Sequence, residues 1–291
     1  MLVTRCRKSV FWSLTGIALC TSLYHLDVTT YARRSFEKCE QADSKPQLSA
    51  VDYQQIWKLR SPYLPPFDEA TGKFELSDKP IWIDVGSNVA AEHIEGVYTL
   101  AFEPLPQFWD TLRSQSPDVF PFPFGISTQD ATVEFGISQN GHSSTMLNLN
   151  SRGVEDLKSE EWDWTSEVSL KRFIKVFTIR LESIFERLPN PELIDYLKID
   201  AQGHDLEVLK SAGKYLRFVR RVKLEAKAPG VRGFYAGQPE PSEIIFFMKQ
   251  NGFRHTGTRQ ACCLEKMLEV DMQFDNENSL PTLNAEHFPP P

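Results

Sequence analysis

Three acidic residues lie in or at the ends of short apolar runs of the chain. Asp84 belongs to the run before Gly86. Glu103 ends a second run directly before Pro104, and Asp200 ends a third. A carboxylate in such a place can accept hydrogen bonds from hydroxyl groups or take a proton from a reacting group. In an open α/β sheet, ligands bind outside the carboxyl ends of the strands, so the three acids predict one ligand crevice.

The spacing of the first two acids is typical of a nucleoside-type ligand. Glu103 lies nineteen positions after Asp84, where a ribose-binding acid at the end of a second strand belongs. Gly86 permits a tight turn with close backbone approach, and Pro104 stiffens the turn after Glu103. Either turn alone is common in structural loops. Both together, in this order, favour a nucleoside-type cofactor.

The third acid precedes a turn and a helix. Gly203 makes the turn after Asp200, and Asp205 then begins a helix, where a carboxylate complements the helix dipole. We interpret Asp205 as a capping residue, and His204 either as a surface residue or as part of the site. Asp200 is the stronger candidate for chemistry, because an acid at that strand end faces the crevice.

The elements that must position these residues alternate between strand and helix. This alternation over residues 80–274 predicts a doubly wound, mostly parallel α/β sheet with an antiparallel edge hairpin from 253–256 and 264–274. No fixed-period repeat is visible. The other expected strands are 81–85, 98–102, 121–126, 174–181, 195–199 and 219–224, and the expected helices are 182–188, 205–212 and 242–250.

The composition excludes several classes of protein. The chain has 291 residues, 41% hydrophobic residues and a formal charge of −7, which is ordinary for a folded domain and argues against a nucleic-acid binder. Its five cysteines include no CxxC pair. They predict neither a disulfide framework nor a zinc site.

The N-terminus carries a possible membrane segment. Arg5, Arg7 and Lys8 precede an uncharged stretch over residues 9–26, which as a helix spans roughly 27 Å, enough for a thin bilayer core. Residues 1–27 therefore predict a single-pass membrane anchor, with the following domain on the lumenal side. A cleaved signal peptide, followed by secretion, and an amphipathic helix packed on the domain are the alternatives.

Residues 28–80 and 275–291 lie outside the predicted catalytic domain. The first segment reads as a tether followed by one capping helix with Tyr53, Ile56, Trp57 and Leu59 at near-helical spacing. The second is polar and ends in three prolines, which predicts a disordered tail.

A family resemblance rests on several of these segments together. "IDVGSN", "AFEPLP", "FGIS", "IRLESI" and above all "YLKIDAQGHDLEVLKSA" resemble the FkbM-like methyltransferases, in that order, over roughly residues 81–253. The resemblance implies a class I S-adenosylmethionine-dependent fold, with a seven-stranded Rossmann-like sheet whose last pair is reversed. It also implies O-methylation of a hydroxyl or carboxyl group, with a glycan, lipid or small metabolite as the acceptor and no metal.

The resemblance also assigns roles to individual residues. Asp84, Gly86, Ser87 and Asn88 are expected at the amino-acid end of S-adenosylmethionine, Glu103 with Pro104 at its ribose, and Gly125 and Ile126 along its adenine. Asp200 is expected beside the sulfonium and the acceptor as the candidate base, with His204 second and His142 third. Lys198 and Gly203 would shape that strand end, and Ser143 and Ser144 would lie near the site.

The chain departs from the family pattern in its cofactor loop. Asn88 is followed by Val89 and Ala90 instead of a second glycine, and only nine residues, 89–97, remain for the first helix. A catalytically degenerate binding or interaction protein of the same fold is therefore the main alternative. A nicotinamide enzyme would need a full G-x-G-x-x-G fingerprint, which is absent. A lumenal sugar-modifying enzyme of another class lacks a D-x-D after a strand.

Two segments are candidates for the acceptor side. Trp162 and Trp164 lie among acids and could stack on a sugar or form a packed cover. Residues 234–239 follow a strand on the ligand side and are the better candidate. Arg232 and Lys227 could attract an anionic group or be ordinary solvated charges. The sequence leaves the oligomeric state open.

Overall fold

The computed structural model describes residues 63–158, 163–262 and 268–278. Within these ranges the chain forms twelve strands and six α-helices. The strands are β1 (Phe67–Asp68), β2 (Lys73–Phe74), β3 (Ile81–Val85), β4 (Tyr98–Phe102), β5 (Val119–Phe122), β6 (Gly125–Ile126), β7 (Ala131–Ser138), β8 (Leu170–Ile179), β9 (Ile194–Ile199), β10 (Arg221–Lys227), β11 (Phe253–Cys262) and β12 (Glu269–Asn276). The helices are α1 (Trp109–Gln115), α2 (Ser151–Glu155), α3 (Thr165–Val168), α4 (Leu181–Phe185), α5 (Asp205–Ser211) and α6 (Pro241–Gln250).

The central sheet has seven strands in the order β11-β12-β10-β9-β3-β4-β5. The five strands from β5 to β10 are parallel to their neighbours, whereas β12 and β11 run antiparallel as an edge hairpin. The chain leaves β3 for β4 and β5 on one side and returns to β9 on the other. The expected doubly wound sheet with a reversed edge pair is confirmed, and its switch point lies between β3 and β9.

The two faces of this sheet differ in chemistry because side chains alternate along each strand. On one face, residues such as Ile83, Leu224 and Met272 pack in the main hydrophobic core together with Val208 of α5 and Ile244 of α6. The other face carries polar and aromatic residues along the strands. They include Trp82, Asp84, Tyr196, Lys198, Lys223, Glu225 and Asp271.

A second, three-stranded sheet with the order β6-β8-β7 lies beside the first. β7 was not among the expected strands, and the segment expected as one strand over 121–126 is divided between β5 and β6. Gly125 pairs with Thr178 of β8, while β7 forms a long antiparallel ladder with β8. The second sheet therefore fixes the segment that follows β5.

No helix forms between β3 and β4, where a short one was expected. Residues 88–97 form turns and irregular backbone. They are held by long-range contacts instead: the Glu92 amide donates to Asp84 Oδ2 at 2.7 Å, and the Glu92 carboxylate contacts Lys223 and Tyr196, each at 2.8 Å. This segment is therefore tied to the polar face of the sheet.

The prediction of a membrane location is corrected. Over the ranges that the structure covers, no helix is long and apolar enough to cross a bilayer. The hydrophobic stretch at 9–26 and the capping helix around Trp57 lie outside the described residues. At the other end β12 continues to Asn276, and the tail beyond residue 278 also lies outside the described part.

Candidate active site

A cavity of about 850 Å³ opens at the carboxyl ends of the central strands. This volume falls within the range of small-molecule and cofactor sites. Most of the predicted site residues come together in its wall, whereas Asp84 and His204 do not line it. The predicted residues that line it are Gly86, Ser87, Asn88, Glu103, Pro104, Gly125, Ile126, His142, Ser144, Lys198 and Asp200.

Gly86 allows the ends of β3 and β9 to approach each other closely. Its φ is +76°, and a Cβ added there would lie 2.0 Å from the backbone oxygen of Asp200. Only glycine fits both constraints. The amide of Gly86 donates to the Phe102 carbonyl at 2.9 Å, which also ties the turn to β4.

Glu103 is a buried carboxyl at the end of β4. Only 4% of the residue is exposed. Its Oε2 accepts the amide of Asn88 at 2.9 Å, and its Oε1 accepts the amide of Leu105 at 2.8 Å. Burial raises the pKa of Glu103 to about 7, although both amide bonds oppose that shift. Glu103 thus joins the turns after β3 and β4 and can change protonation near neutral pH.

Asp84 lies beneath the cavity and contacts Lys198. Its residue is 1% exposed, and its Oδ1 lies 2.9 Å from Lys198 Nζ. The same ammonium donates to the Gly86 carbonyl at 3.1 Å and lies 3.9 Å from Asp200 Oδ2. Burial alone would lower the pKa of Lys198, but the carboxylates of Asp84, Asp200 and Glu92 outweigh burial and raise it. Lys198 is therefore a fixed cation under the strand ends.

Asp200 belongs to a side-chain network that was not predicted from the sequence. Gln202 Nε2 donates to Asp200 Oδ1 at 2.5 Å and to Glu225 Oε2 at 3.1 Å. The hydroxyl of Tyr235 donates to Gln202 Oε1 at 2.5 Å. Asp200, Gln202 and Glu225 all line the cavity. Glu225 could have been identified from the sequence, because it is an acid in the otherwise apolar stretch from Leu224 to Ala226.

The histidine candidates occupy different places. His204 Nε2 lies 3.0 Å from Ser127 Oγ, and burial lowers the pKa of His204. Its ring is thus directed at the segment after β6. His142 and Ser144 line the cavity, whereas Ser143 is not part of its wall.

Asp205 is the first residue of α5, as expected, but its carboxylate bonds to amides of the preceding turn instead of capping the helix. Its carboxylate accepts the amides of Ala201 at 3.2 Å and Gly203 at 3.1 Å. These bonds close the turn that leads from Asp200 into α5. Asp205 thus fixes the backbone directly after the candidate base.

The candidate acceptor segments pack against the domain. Phe234 and Tyr235 are buried in a cluster that Trp164 contacts, and Trp162 lies outside the described residues. Arg232 forms two hydrogen bonds with Asp156, at 2.7 and 3.0 Å. Lys227 is paired with Glu240. These two cations are thus engaged by acids.

The residues of the cavity fit a nucleoside cofactor that carries a positive charge. The buried carboxyl of Glu103 suits ribose hydroxyls, and the apolar wall from Phe124 to Ile126 suits an adenine ring. Asp200 supplies an acid near the middle of the site. Across the described ranges, no group of three or more His, Cys, Asp or Glu residues could hold a metal ion.

Comparison with known proteins gives a family and several relatives. The methyltransferase FkbM domain matches residues 83–255. The hexuronic acid methyltransferase AglP of Haloferax volcanii is 28% identical over 163 residues, which cover 52% of this chain and 57% of that protein. The chain thus matches little more than half the length of this relative.

Two solved structures also match. Magnesium protoporphyrin IX methyltransferase (ChlM) from Synechocystis, with bound SAM, matches at 10% identity and a TM-score of 0.36, covering 87% of this chain and 96% of that one. The Burkholderia thailandensis 1,6-didemethyltoxoflavin-N1-methyltransferase matches at 11% identity and a TM-score of 0.33, covering 86% and 89%. The FkbM match, however, takes in more than half of the 291 residues. The chain therefore belongs to the FkbM methyltransferase family.

Proposed function

We propose that this protein is an S-adenosylmethionine-dependent methyltransferase that methylates an oxygen atom, in a hydroxyl or carboxyl group of a glycan, lipid or small metabolite. The observation that carries the proposal is the placement of Asp200. It directly follows β9, the strand at the switch point, and lines the same cavity as Gly86 and Glu103. The hexuronic acid methyltransferase among the relatives supports a sugar acceptor.

The cavity residues divide into a cofactor side and an acceptor side. Glu103 would accept the ribose hydroxyls, Gly125 and Ile126 would lie along the adenine, and Ser87 and Asn88 would hold the amino-acid end. When bound, S-adenosylmethionine supplies an electrophilic methyl group, whose transfer to an acceptor oxygen leaves a neutral thioether. The protein must align that oxygen and receive its proton.

Asp200 is suited to the acceptor side. Its side chain is 18% exposed, and Lys198 Nζ lies 3.9 Å from its Oδ2. Lys198 thus places a positive charge beside this carboxylate. An ionised carboxylate can orient an acceptor hydroxyl by accepting its hydrogen bond, and it can take the proton as the oxygen loses it. The chain thus supplies both the orientation and the proton acceptor at one residue.

The test compares Asp200→Asn with a matched control on the same strand. Asp195 lies at the opposite end of β9, is 16% exposed and also pairs with a cation, Arg220. S-Adenosylmethionine with a tritiated methyl group is incubated with pooled glycan, lipid and metabolite fractions, and the labelled product is counted. Calorimetry measures S-adenosylmethionine affinity in parallel.

We expect Asp200→Asn to lower the turnover by roughly 10²–10⁴-fold, the usual share of acid–base catalysis. Cofactor affinity should change little, and Asp195→Asn should leave both quantities near those of the unmodified enzyme. Unchanged turnover in Asp200→Asn would remove the assigned role. Label found only on nitrogen, carbon or sulfur would refute O-methylation.

A further inference from the structure

We propose that Glu225 is a second acceptor-binding carboxylate, and that Gln202 positions Glu225 and Asp200 as a pair that recognises two adjacent hydroxyls of a sugar or other polyol. This inference rests on the proposed function and names the acceptor class. It starts from one amide nitrogen, Gln202 Nε2, which lies within 3.1 Å of an oxygen of each carboxylate.

The amide of Gln202 is fixed in one orientation. The Tyr235 hydroxyl donates to its Oε1, so the NH₂ group must face the two acids. The backbone supports this arrangement as well: Gln202 has a φ of +51°, and its carbonyl accepts the Thr145 hydroxyl at 2.9 Å. A residue held in this rarely populated region with a 5% exposed side chain has little freedom to turn. Gln202 is thus a positioning residue.

Tyr235 is in turn held by the loop after Asp200. A Cβ at Gly203 would lie 2.7 Å from the Tyr235 ring, so glycine is needed for the ring to pack there. Tyr235 is 2% exposed. The loop that carries the candidate base and the segment that carries Tyr235 thus position the same amide from two sides.

The two carboxylates favour a hydroxyl acceptor over a carboxylate. Each of two adjacent hydroxyls can donate one hydrogen bond to one acid, and a charge-assisted bond of this kind is stronger than a neutral one. An acceptor carboxylate would instead place a third anion beside the pair. The nearby cations already contact acids: Lys198 contacts Asp84 and Asp200, and Lys223 contacts Glu92 and Asp271.

Arg259 also lines the cavity but belongs to a different part of it. It lies on β11, and strand β12 separates β11 from the β10 strand of Glu225. Two strand spacings amount to about 10 Å. Arg259 can therefore bind a remote anionic group of an acceptor without neutralising the Asp200–Glu225 pair.

The first experiment modifies the acceptors and uses the unmodified enzyme. The pooled fractions are treated with periodate, which cleaves adjacent hydroxyls, or their carboxyl groups are reduced, before incubation with tritiated S-adenosylmethionine. We expect periodate to abolish labelling and carboxyl reduction to leave it. The label should also survive alkali, because a methyl ether is stable where a methyl ester is hydrolysed.

The second experiment compares Glu225→Gln with Glu269→Gln. The two glutamates are 6% and 5% exposed and lie on neighbouring strands, but only Glu225 lines the cavity. We expect Glu225→Gln to raise the acceptor KM about tenfold or more, the loss of a charged hydrogen bond, with a smaller change in kcat. Cofactor affinity should be unchanged, and Glu269→Gln should retain the original KM.

The outcomes separate this inference from the proposed function. A product whose formation survives periodate, or whose label alkali releases, overturns the diol acceptor and leaves O-methylation standing. An unchanged KM in Glu225→Gln overturns the role of Glu225. If the untreated fractions yield no O-methylated product at all, the proposed function fails, and this inference fails with it.

Discussion

The protonation of Glu103 should control cofactor affinity near neutral pH. Burial raises its pKa to about 7, and a ribose hydroxyl donates a stronger hydrogen bond to a carboxylate than to a neutral carboxyl group, so we expect the ionised form to be the one that binds. At pH 6 about one molecule in ten is ionised, and the apparent affinity should be about tenfold weaker than at pH 8 and above. The sign follows from the carboxyl: a lower pH protonates Glu103 and removes an acceptor.

The assay is calorimetry with S-adenosylhomocysteine between pH 6 and 8.5, on the enzyme and on Glu103→Gln. Glutamine keeps the shape of the side chain but does not ionise. The ligand titrates in the same way with both proteins, so the ratio of their affinities isolates Glu103. We expect this ratio to rise about tenfold from pH 6 to pH 8. A ratio that is constant over this range would refute the assignment.

The same residue should affect stability in a defined pH window. The folded protein holds the Glu103 proton more tightly than the unfolded chain, because the pKa rises from 4.5 to about 7. The free energy of unfolding should therefore fall as pH rises from about 4.5 to 7, by roughly 3 kcal/mol from this group. Glu103→Gln should lack this part of the pH dependence in urea unfolding. An identical pH profile in both proteins would contradict the burial argument.

Two other predictions concern Gly86, which lines the cavity, and Asp84, which lies beneath it. Gly86→Ala should lower the free energy of unfolding by about 2–5 kcal/mol, because alanine is strained at a positive φ and its Cβ would overlap with Asp200. Gly96→Ala has only the first of these effects and should lower the free energy of unfolding by only about 1–2 kcal/mol. The control has a φ of +87° and open space around it, so equal losses in urea unfolding would exclude the close approach. Asp84→Asn should cost about 3–5 kcal/mol, because it leaves Lys198 buried with weaker partners. The double variant Asp84→Asn with Lys198→Met should recover part of that loss. If the double variant loses the sum of the two single losses, the pairing of Asp84 with Lys198 is contradicted.

The fold could be predicted wherever apolar runs were continuous. β3, β4 and β9 are buried runs between turn residues, and such runs identify parallel strands directly. β7 was missed although Val133, Phe135 and Ile137 alternate with polar or small residues. Its partner β8 follows only after a long excursion of the chain, and such non-local pairing leaves no local signal.

The sequence could predict those cavity residues whose location depends only on their position along a strand. Glu103 and Asp200 directly follow β4 and β9, so the parallel sheet brings them to one edge. Asp84 was expected at the cofactor but lies one residue before the end of its strand and faces Lys198, its neighbour in register. Once the register of β3 and β9 is known, the alternation of side chains along the strands shows that Asp84 faces Lys198. Glu225 lies within β10, so its place in the cavity could likewise be predicted only once the strand register is known.

The charged face of the sheet explains how the cavity can hold Asp200 and Glu225 next to each other. Since no helix lies between β3 and β4, Glu92 reaches this face and pairs with Lys223, while Asp84 pairs with Lys198. These contacts fix both lysines under the strand ends. An aliphatic residue in place of either lysine would leave the neighbouring acids without a compensating positive charge. Two adjacent carboxylates without a cation repel each other, and the Lys198 ammonium lies 3.9 Å from Asp200 Oδ2. The contacts of Glu92 therefore take the place of the missing helix and hold Lys223 on this face of the sheet.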